Sequence, residues 1–589
     1  MRGSDTEARA AQRIRDALAM RESGDATGAL RLLQRILSQL PHHAQAHYLV
    51  GLWCAQDGDN ETARPHLERA VSLMPDSGDA YLALGNVCRA TGDLRRAERC
   101  YGDAVARAPD SAAGHYNLGL LLKANGALEP ALSCFERACA LSPYIEDARR
   151  ERISCLLQLS RHEEAKAVAR AALDEHRDSA VLWNCLGLVH QKLFQPEEAL
   201  RCYGRSTSLA KPDHEIYNNI GIALQDAGRI SEAIEAYDKS IALKPDYELA
   251  RFHRALAHLL THDYEQAWEN YELRLMSEDR PFPPQRFPRW RGESLAGRSI
   301  LVHGEQGLGD EIMFASCLPQ VLQQAERCTV WCSPKLELLF QRSFPAARVQ
   351  PFCFDRPDAM AVEDAVDFEV PMGSLPLYLR RTKANFPVHA GYLRADARRV
   401  AYWRERLAVL GEGPKIGVSW SGGTPKTRRA VRSLSLSEWQ PILSQNACFV
   451  SLQYGPARAD VRALEAGGKA KIVEWMEALD DYDETAALVS ALDLTISVCT
   501  AVIHLAGALG RPVWIMAPMS PEWRYGIAGS EMPWYPSARV FRQTVAGQWG
   551  SVVEEVASEL HRLASPCAVA VANTQQETPN RHERRLADL

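Results

Sequence analysis

Alanines recur every 34 residues through the first half of the chain, at Ala29, Ala63, Ala97, Ala131, Ala165, Ala199, Ala233 and Ala267. Twelve residues before each stands a second series, small at Ala17, Gly51, Gly85, Gly119, Gly187, Gly221 and Ala255 and broken only by Ile153. Glycines fall between the two at Gly24, Gly58, Gly92, Gly126 and Gly228. Prolines close the units at Pro41, Pro75, Pro109 and Pro143, then at Pro212 and Pro245 with a one-residue slip. A small residue on each of two helices lets them pack closely, a glycine turns the chain between them, and a proline stops the second helix. One such pair buries its apolar face only against its neighbours, so the period predicts an all-α stack of about eight helix pairs over residues 8–277.

The pattern resembles the tetratricopeptide repeat (TPR). That resemblance implies a superhelix whose concave groove takes an extended or helical segment of a protein partner. In TPR-bearing O-GlcNAc transferases the groove carries a ladder of asparagines that holds peptide backbone. Asn117 and Asn219 occupy equivalent repeat positions here and are the candidate acceptor-binding residues. Leu49, Ala83 and Cys185 interrupt the series, so the ladder is partial, and each asparagine also reads simply as part of a solvated polar face.

Composition narrows the classes of partner. A formal net charge of −6 with no long basic run argues against nucleic acid. The hydrophilic start "MRGSDTEARAAQRIRDALAM" lacks the apolar core of a signal peptide, and no apolar run is long enough to predict a membrane span. The fifteen cysteines form no CxxC pair and no metal-ligand spacing. Cys54 and Cys88 are 34 apart, as are Cys100 and Cys134, which is how small buried residues of a repeat behave. Reduced thiols and a cytoplasmic location are expected.

After the proline- and arginine-rich connector at 278–296 the 34-residue pattern stops. Short apolar runs then alternate with amphipathic stretches: "SILVHG", "CTVWCS" and "DFEVPM", followed by "KIGVSWSG", "CFVSLQYG", "KIVEW", "LDLTISV" and "RPVWIMAP". Strands alternating with helices predict parallel sheets with crossover helices. The runs fall into two groups, which predicts two doubly wound, Rossmann-like domains at 297–393 and 413–562 facing one cleft, joined by a helix at 394–412. Residues 563–589 have the composition of a disordered tail.

The blocks "GEQGLGDEIMFASCLPQV", "IGVSWSGG…RSLSL", "SLQYG" and "DLTISVCTAVIHLAGALGRPVW" resemble the signature segments of bacterial TPR-fused glycosyltransferases. Their catalytic half is similar to the ADP-heptose:lipopolysaccharide heptosyltransferases and to O-GlcNAc transferase, which share the GT-B fold. "SVCTAVIHL" with "SPEWRYG" and "MPWYPS" most resembles alphaproteobacterial enzymes that modify flagellin. The resemblance implies a metal-independent inverting transferase with no cofactor beyond its nucleotide-sugar substrate. The implied acceptor is flagellin, modified at Ser or Thr hydroxyls. The implied donor is a CMP-activated nonulosonic acid such as pseudaminic acid.

Such a reaction needs a base for the acceptor hydroxyl and cationic or N–H groups for the departing phosphate. The resemblance places Asp310 as the base, with Glu311 as its substitute, in a turn where Gly307 and Gly309 clear space at the strand end. Asp310 also suits plain helix capping. Thr500 and Ala501 open a helix whose N–H groups suit donor phosphate, and His504 one turn later either adds a ring N–H or is structural. Family members carry Asp where this chain has Cys499, which argues against heptose as the sugar. The loop "SWSGGTPKTRRAVRS" offers Ser421, Gly422, Lys426, Arg428, Arg429, Arg432 and Ser433; the resemblance favours Arg432 with Ser433, then Lys426, and the alternative is a solvated basic loop. Gln453 and Tyr454 are candidates for the base pocket, while Trp523 and Arg524 read more readily as a packed loop. Two alternatives stand beside this reading: a transferase using UDP-GlcNAc or another nucleotide sugar, and a TPR scaffold with a degenerate transferase half.

Overall fold

The computed structural model describes residues 2–276, 285–352, 365–423, 428–455, 458–466 and 471–564. The chain folds as two compact units, Met1–Pro212 and Asp213–Leu589.

The first unit is an all-helical TPR array of six helix pairs, from Arg2–Glu22 with Ala26–Gln39 to Ala180–Lys192 with Pro196–Leu209. Capping follows the period. Asp25, Asp59 and Asp93 accept from the backbone N–H of Gly28, Thr62 and Arg96, and Ser77, Ser111 and Ser179 do the same for the alternate helices. The series of small residues is explained by what faces it. A Cβ on Gly85 would lie 2.6 Å from Tyr101, on Gly119 2.8 Å from Phe135, and on Gly187 2.4 Å from Tyr203. At the fifth pair the sizes are exchanged: Ile153, the exception in the series, has Ala169 at the position those aromatic rings hold, and both are buried in one core. Asn117 lies on the helix Ala112–Ala124, half-buried, and donates to the side-chain oxygen Oδ1 of Asn86 at 3.0 Å.

The second unit begins with the last two helix pairs, His214–Asp226 with Ile230–Leu243 and Glu248–Leu260 with Tyr264–Tyr271. The compact division therefore falls two pairs before the end of the repeat pattern at 277. The physical reason is the packing of the final pair on the α/β part: Trp268 and Tyr271 ring-pack against Trp523, and Trp268 Nε1 donates to the Arg380 carbonyl at 2.9 Å. Asn219 is half-buried on the helix His214–Asp226.

Two parallel sheets follow. The first contains β1 (Ser299–His303), β2 (Arg327–Cys332), β3 (Ala347–Pro351) and β4 (Phe368–Pro371) in the order β3-β2-β1-β4. The helix Ala397–Ala408, capped by Asp396, leads to the second. This holds β5 (Lys415–Ser419), β6 (Cys448–Ser451), β7 (Ile472–Val473), β8 (Leu494–Val498), β9 (Val513–Ala517) and β10 (Ala538–Arg542), ordered β10-β9-β8-β5-β6-β7. The eight apolar runs picked out in the sequence are strands, and β3 and β10 at the sheet edges are additional. The last helix, Gly550–Ala564, continues two residues into the expected tail, and 565–589 lie outside the described residues. No helix among the described residues is long and apolar enough to cross a membrane.

Candidate functional site

Chain order reverses in each sheet between two neighbouring strands, β1 and β4 in the first and β5 and β8 in the second. Loops leaving such neighbours diverge to opposite faces and open a crevice at the carboxyl ends of the strands. Residues after β1, β5, β6, β8 and β9 line one cavity of about 590 Å³ there.

From β1 come Gln306, Gly309 and Asp310. Gln306 has φ +67°, a left-handed conformation rare for a side chain of its size, and donates to Tyr271 Oη at 3.0 Å. The helix Leu308–Phe314 starts at Gly307, whose φ of −149° is ordinary extended backbone. Gly309 is required by packing: its Cβ would stand 2.9 Å from the His504 ring and 3.5 Å from Ala501 Cα, so its absence lets two helix starts meet.

From β5 and β8 come Ser421, Gly422, Cys499, Thr500 and Ala501. The two loops nearly touch, since a Cβ on Gly422 would lie 2.5 Å from the Thr500 methyl. Thr500 caps the helix Ala501–Ala508 with extended backbone, leaving the first N–H groups of that helix at the cavity. Ser433 stands behind the β5 loop, accepting from Gly422 N–H at 3.1 Å and from Ser421 Oγ at 3.3 Å. Arg429 and Arg432 line the same end, Arg429 donating to Ser421 Oγ at 3.2 Å and Arg432 Nε to the Gly422 carbonyl at 3.1 Å.

A charged chain crosses the cavity wall. Asp310 Oδ1 accepts from Nε of Arg524 at 2.7 Å and also from its Nη2. Arg524 Nη1 donates to Glu522 at 2.7 Å, and Glu522 in turn accepts from Arg432 Nη1 at 2.6 Å. Burial lifts the Asp310 carboxyl above its ordinary value, against the pull of Arg524. His504 is neutral, its pKa taken down to about 3 by burial and then by Arg524. Its two ring nitrogens are engaged by tyrosine hydroxyls, Nδ1 with Tyr535 at 3.0 Å and Nε2 with Tyr525 at 3.3 Å. Burial pushes the Cys499 thiol up to about 12, so it faces the cavity uncharged. Among the described residues no group of three or more His, Cys, Asp or Glu side chains is arranged to hold a metal.

Tetratricopeptide-repeat family models match residues 15–80 and 218–275, 54–118, 112–144 and 178–246. Protein FlbA of Caulobacter vibrioides is 32% identical over 433 residues, covering 70% of this chain and 72% of that protein. The match is longer than the whole repeat pattern and thus takes in part of the α/β half. The chain belongs to the FlbA family. Shorter similarity, 27% over 95 residues, relates it to the peroxisomal targeting signal receptor of Candida glabrata, covering 16% of each chain. Among solved structures, a tetratricopeptide repeat protein from Parabacteroides merdae matches 42% of this chain and 98% of its own at 14% identity and a TM-score of 0.34. PilF of Pseudomonas aeruginosa matches 35% and 95% at 20% identity and a TM-score of 0.31.

In this FlbA-family chain the cavity brings together Gly309, Asp310, Ser421, Gly422, Arg432, Gln453, Tyr454, Cys499, Thr500, Ala501 and His504. Several expected roles change. Glu311 is outside the lining: it is buried beneath Gly304, accepts from Ser333 N–H at 2.8 Å, and is raised to about 8 by burial. Gln453 faces the cavity but its amide is used internally. It accepts from Trp420 and Ser421 N–H at 3.0 and 2.8 Å and donates to the Ser421 and Tyr454 carbonyls, so it staples the β5 loop and has no edge left for a base. Tyr454 keeps its ring at the cavity, with its hydroxyl on Thr485 at 2.8 Å. His504 is committed to the two tyrosines, and Gly307 and Ser433 support the loops from outside the lining. Lys426 lies outside the described residues.

The segment "PEWRYG" divides by side chain. Trp523 packs among Trp268, Tyr271, Phe314 and Trp534, as a packed loop would, whereas Glu522, Arg524 and Tyr525 line the cavity. Sequence reasoning passed over Glu522, Tyr525 and Gln306. For Glu522 the available signal was its opposite charge beside Arg524 in the loop that follows the buried strand β9, where a packed loop has little use for such a pair.

Proposed function

We propose that this chain is a protein glycosyltransferase of GT-B architecture that binds a nucleotide-sugar donor in the cavity and a protein acceptor through its repeats. The observation that carries the reading is that Asp310, Arg429, Arg432 and the helix start at Thr500 and Ala501 all line a single cavity. The acceptor hydroxyl oxygen bonds to the anomeric carbon as the bond from that carbon to the donor phosphate breaks. The nucleotide leaves with the bonding electron pair and Asp310 takes the hydroxyl proton. The helix N-terminus and the two arginines hold the phosphate charge that develops. Arg524 orients Asp310 and restrains its charge before reaction.

The acceptor we assign is flagellin, on the resemblance of the sequence blocks to those of flagellin-modifying TPR transferases. The donor we assign is a CMP-nonulosonate, pseudaminic acid being one. Such a donor carries a carboxylate beside its phosphate, and Arg429 and Arg432 at one end of the cavity are the groups assigned to these anions. The uncharged Cys499 fits this better than it fits heptose.

Calorimetric titration with CMP, UDP and ADP tests the donor assignment, CMP binding tightest being the expected result and UDP the result that favours a GlcNAc-type donor. Asp310→Asn is expected to keep nucleotide affinity and lower transfer about 10²-fold or more, the scale of losing a general base. Unchanged turnover removes Asp310 from catalysis, and a chain that binds no nucleotide is a scaffold.

A further inference from the structure

The loop between β9 and β10 presents Glu522, Arg524 and Tyr525 to the cavity, and its other side meets the turns of the last two repeats. Ser520 Oγ donates to the Gln225 carbonyl at 3.3 Å and to Asp226 at 3.4 Å, and Ile527 N–H donates to the Leu260 carbonyl at 3.0 Å. Two glycines with positive φ allow the approach. A Cβ on Gly228 would stand 3.2 Å from the Met519 methyl, and one on Gly526 2.6 Å from the His262 ring.

The same two repeats reach two further parts of the wall. Asp226 pairs at 2.9 Å with Arg428, which has φ +61° and precedes the short helix Arg429–Arg432 that supplies both arginines of the anion end. Arg274, just past the last helix pair, closes a two-pronged ion pair on Glu305 at 2.7 and 2.9 Å, next to Gln306. Burial opposes the Glu305 charge, yet Arg274 holds the carboxyl below its usual value, so the pair stays ionised inside the protein. Beside the ring packing on Trp523, these contacts are directional and end on three of the five segments that line the cavity. Directional polar pairs fix geometry more than they add stability.

We infer that the seventh and eighth repeats are a positioning element of the cavity, with Asp226 fixing the turn at Arg428 that aims Arg429 and Arg432. The inference rests on reading that end of the cavity as the phosphate seat. Asp226 touches no donor atom and acts through Arg428. An acceptor bound along these repeats has a direct mechanical route to the donor loops.

The test uses the full-length chain and two measurements. Hydrogen exchange, without any ligand, is expected to quicken at 428–434 and 518–527 in Asp226→Ala while the β8 and β9 amides stay protected. Calorimetry is expected to show CMP binding about tenfold more weakly, the loss of one pre-set charged contact. Arg428→Ala should give the same pattern, and the swap Asp226→Arg with Arg428→Asp should restore both readouts. Unchanged exchange at 428–434 in both single variants overturns the positioning role whatever the nucleotide result. If the wild-type chain binds no nucleotide, the phosphate reading falls, and the exchange measurement still decides whether Asp226 sets the turn.

Discussion

Asp310 and Glu311 are adjacent on one helix, yet one faces the cavity and the other the interior, because neighbours on a helix point about 100° apart. Burial gives Glu311 its own pH signature. Its carboxyl is at about 8 when folded against 4.5 when free, so the unfolded chain releases the proton first. The group's contribution is fully present below about pH 4.5 and is lost as pH rises to about 8. Glu311→Gln keeps the acceptor for Ser333 N–H and is expected to gain stability relative to wild type across that window and level off above it, as read by urea denaturation at a series of pH values. Arg524→Ala should be the harsher change. It strips the Asp310 carboxylate of its partner, at a cost of about 3–5 kcal/mol for a buried pair broken on one side, measurable in the same denaturation experiment. Asp310 was legible from its motif. Its partner was not, because Arg524 follows 214 residues later in the chain and only packing puts the two together.

At the scale of elements, the turn between paired helices takes positive φ every 34 residues: glycine at 24, 58, 92, 126 and 228, but Ser160, Phe194 and His262 at the other three. Side chains in this conformation are strained by about 1–2 kcal/mol. Ser160→Gly, at an exposed turn, is therefore expected to stabilise the array by about 0.5–1 kcal/mol after the added chain entropy of glycine. Gly92→Ala, whose Cβ meets nothing within 4 Å, should destabilise it by about 1 kcal/mol through backbone strain alone. Chemical denaturation of both variants checks the pair of opposite signs. The repeat elements were legible because one pattern recurs eight times. Ile153 broke that pattern in the sequence, and only the opposed Ala169 shows the break to be an exchange of volumes. Strands β3 and β10 escaped notice because "ARVQP" and "ARVFR" each place arginine among few apolar residues.

For the whole molecule, the compact division at Pro212 governs how the chain can be cut. Deleting residues 1–212 is expected to leave a folded module that binds nucleotide and fails to modify its protein acceptor. Deleting residues 1–277 removes Asp226, Trp268, Tyr271 and Arg274 and should leave a chain that melts early or aggregates, as size-exclusion chromatography and thermal denaturation will show. Equal behaviour of the two truncations would mean that the last repeats are as separable as their sequence period suggests.

That period is where sequence and tertiary structure part. Periodic small residues, turn glycines and alternating apolar runs fixed the element types and their order, since each is a local demand on backbone geometry that neighbours in the chain can satisfy. They also put the turns that carry Asp310 and Thr500 after strands, where parallel sheets keep their ligands, while the choice of Asp310 and Arg432 came from the family resemblance. The sequence left the seventh and eighth repeats indistinguishable from the other six, because all eight meet the same local demands. Their inclusion in the cavity's compact unit follows from side chains paired across 31 to 294 residues of chain, such as Arg274 with Glu305 and Ser520 with Asp226. Separations of that kind carry no periodicity, so nothing short of the folded packing decides them.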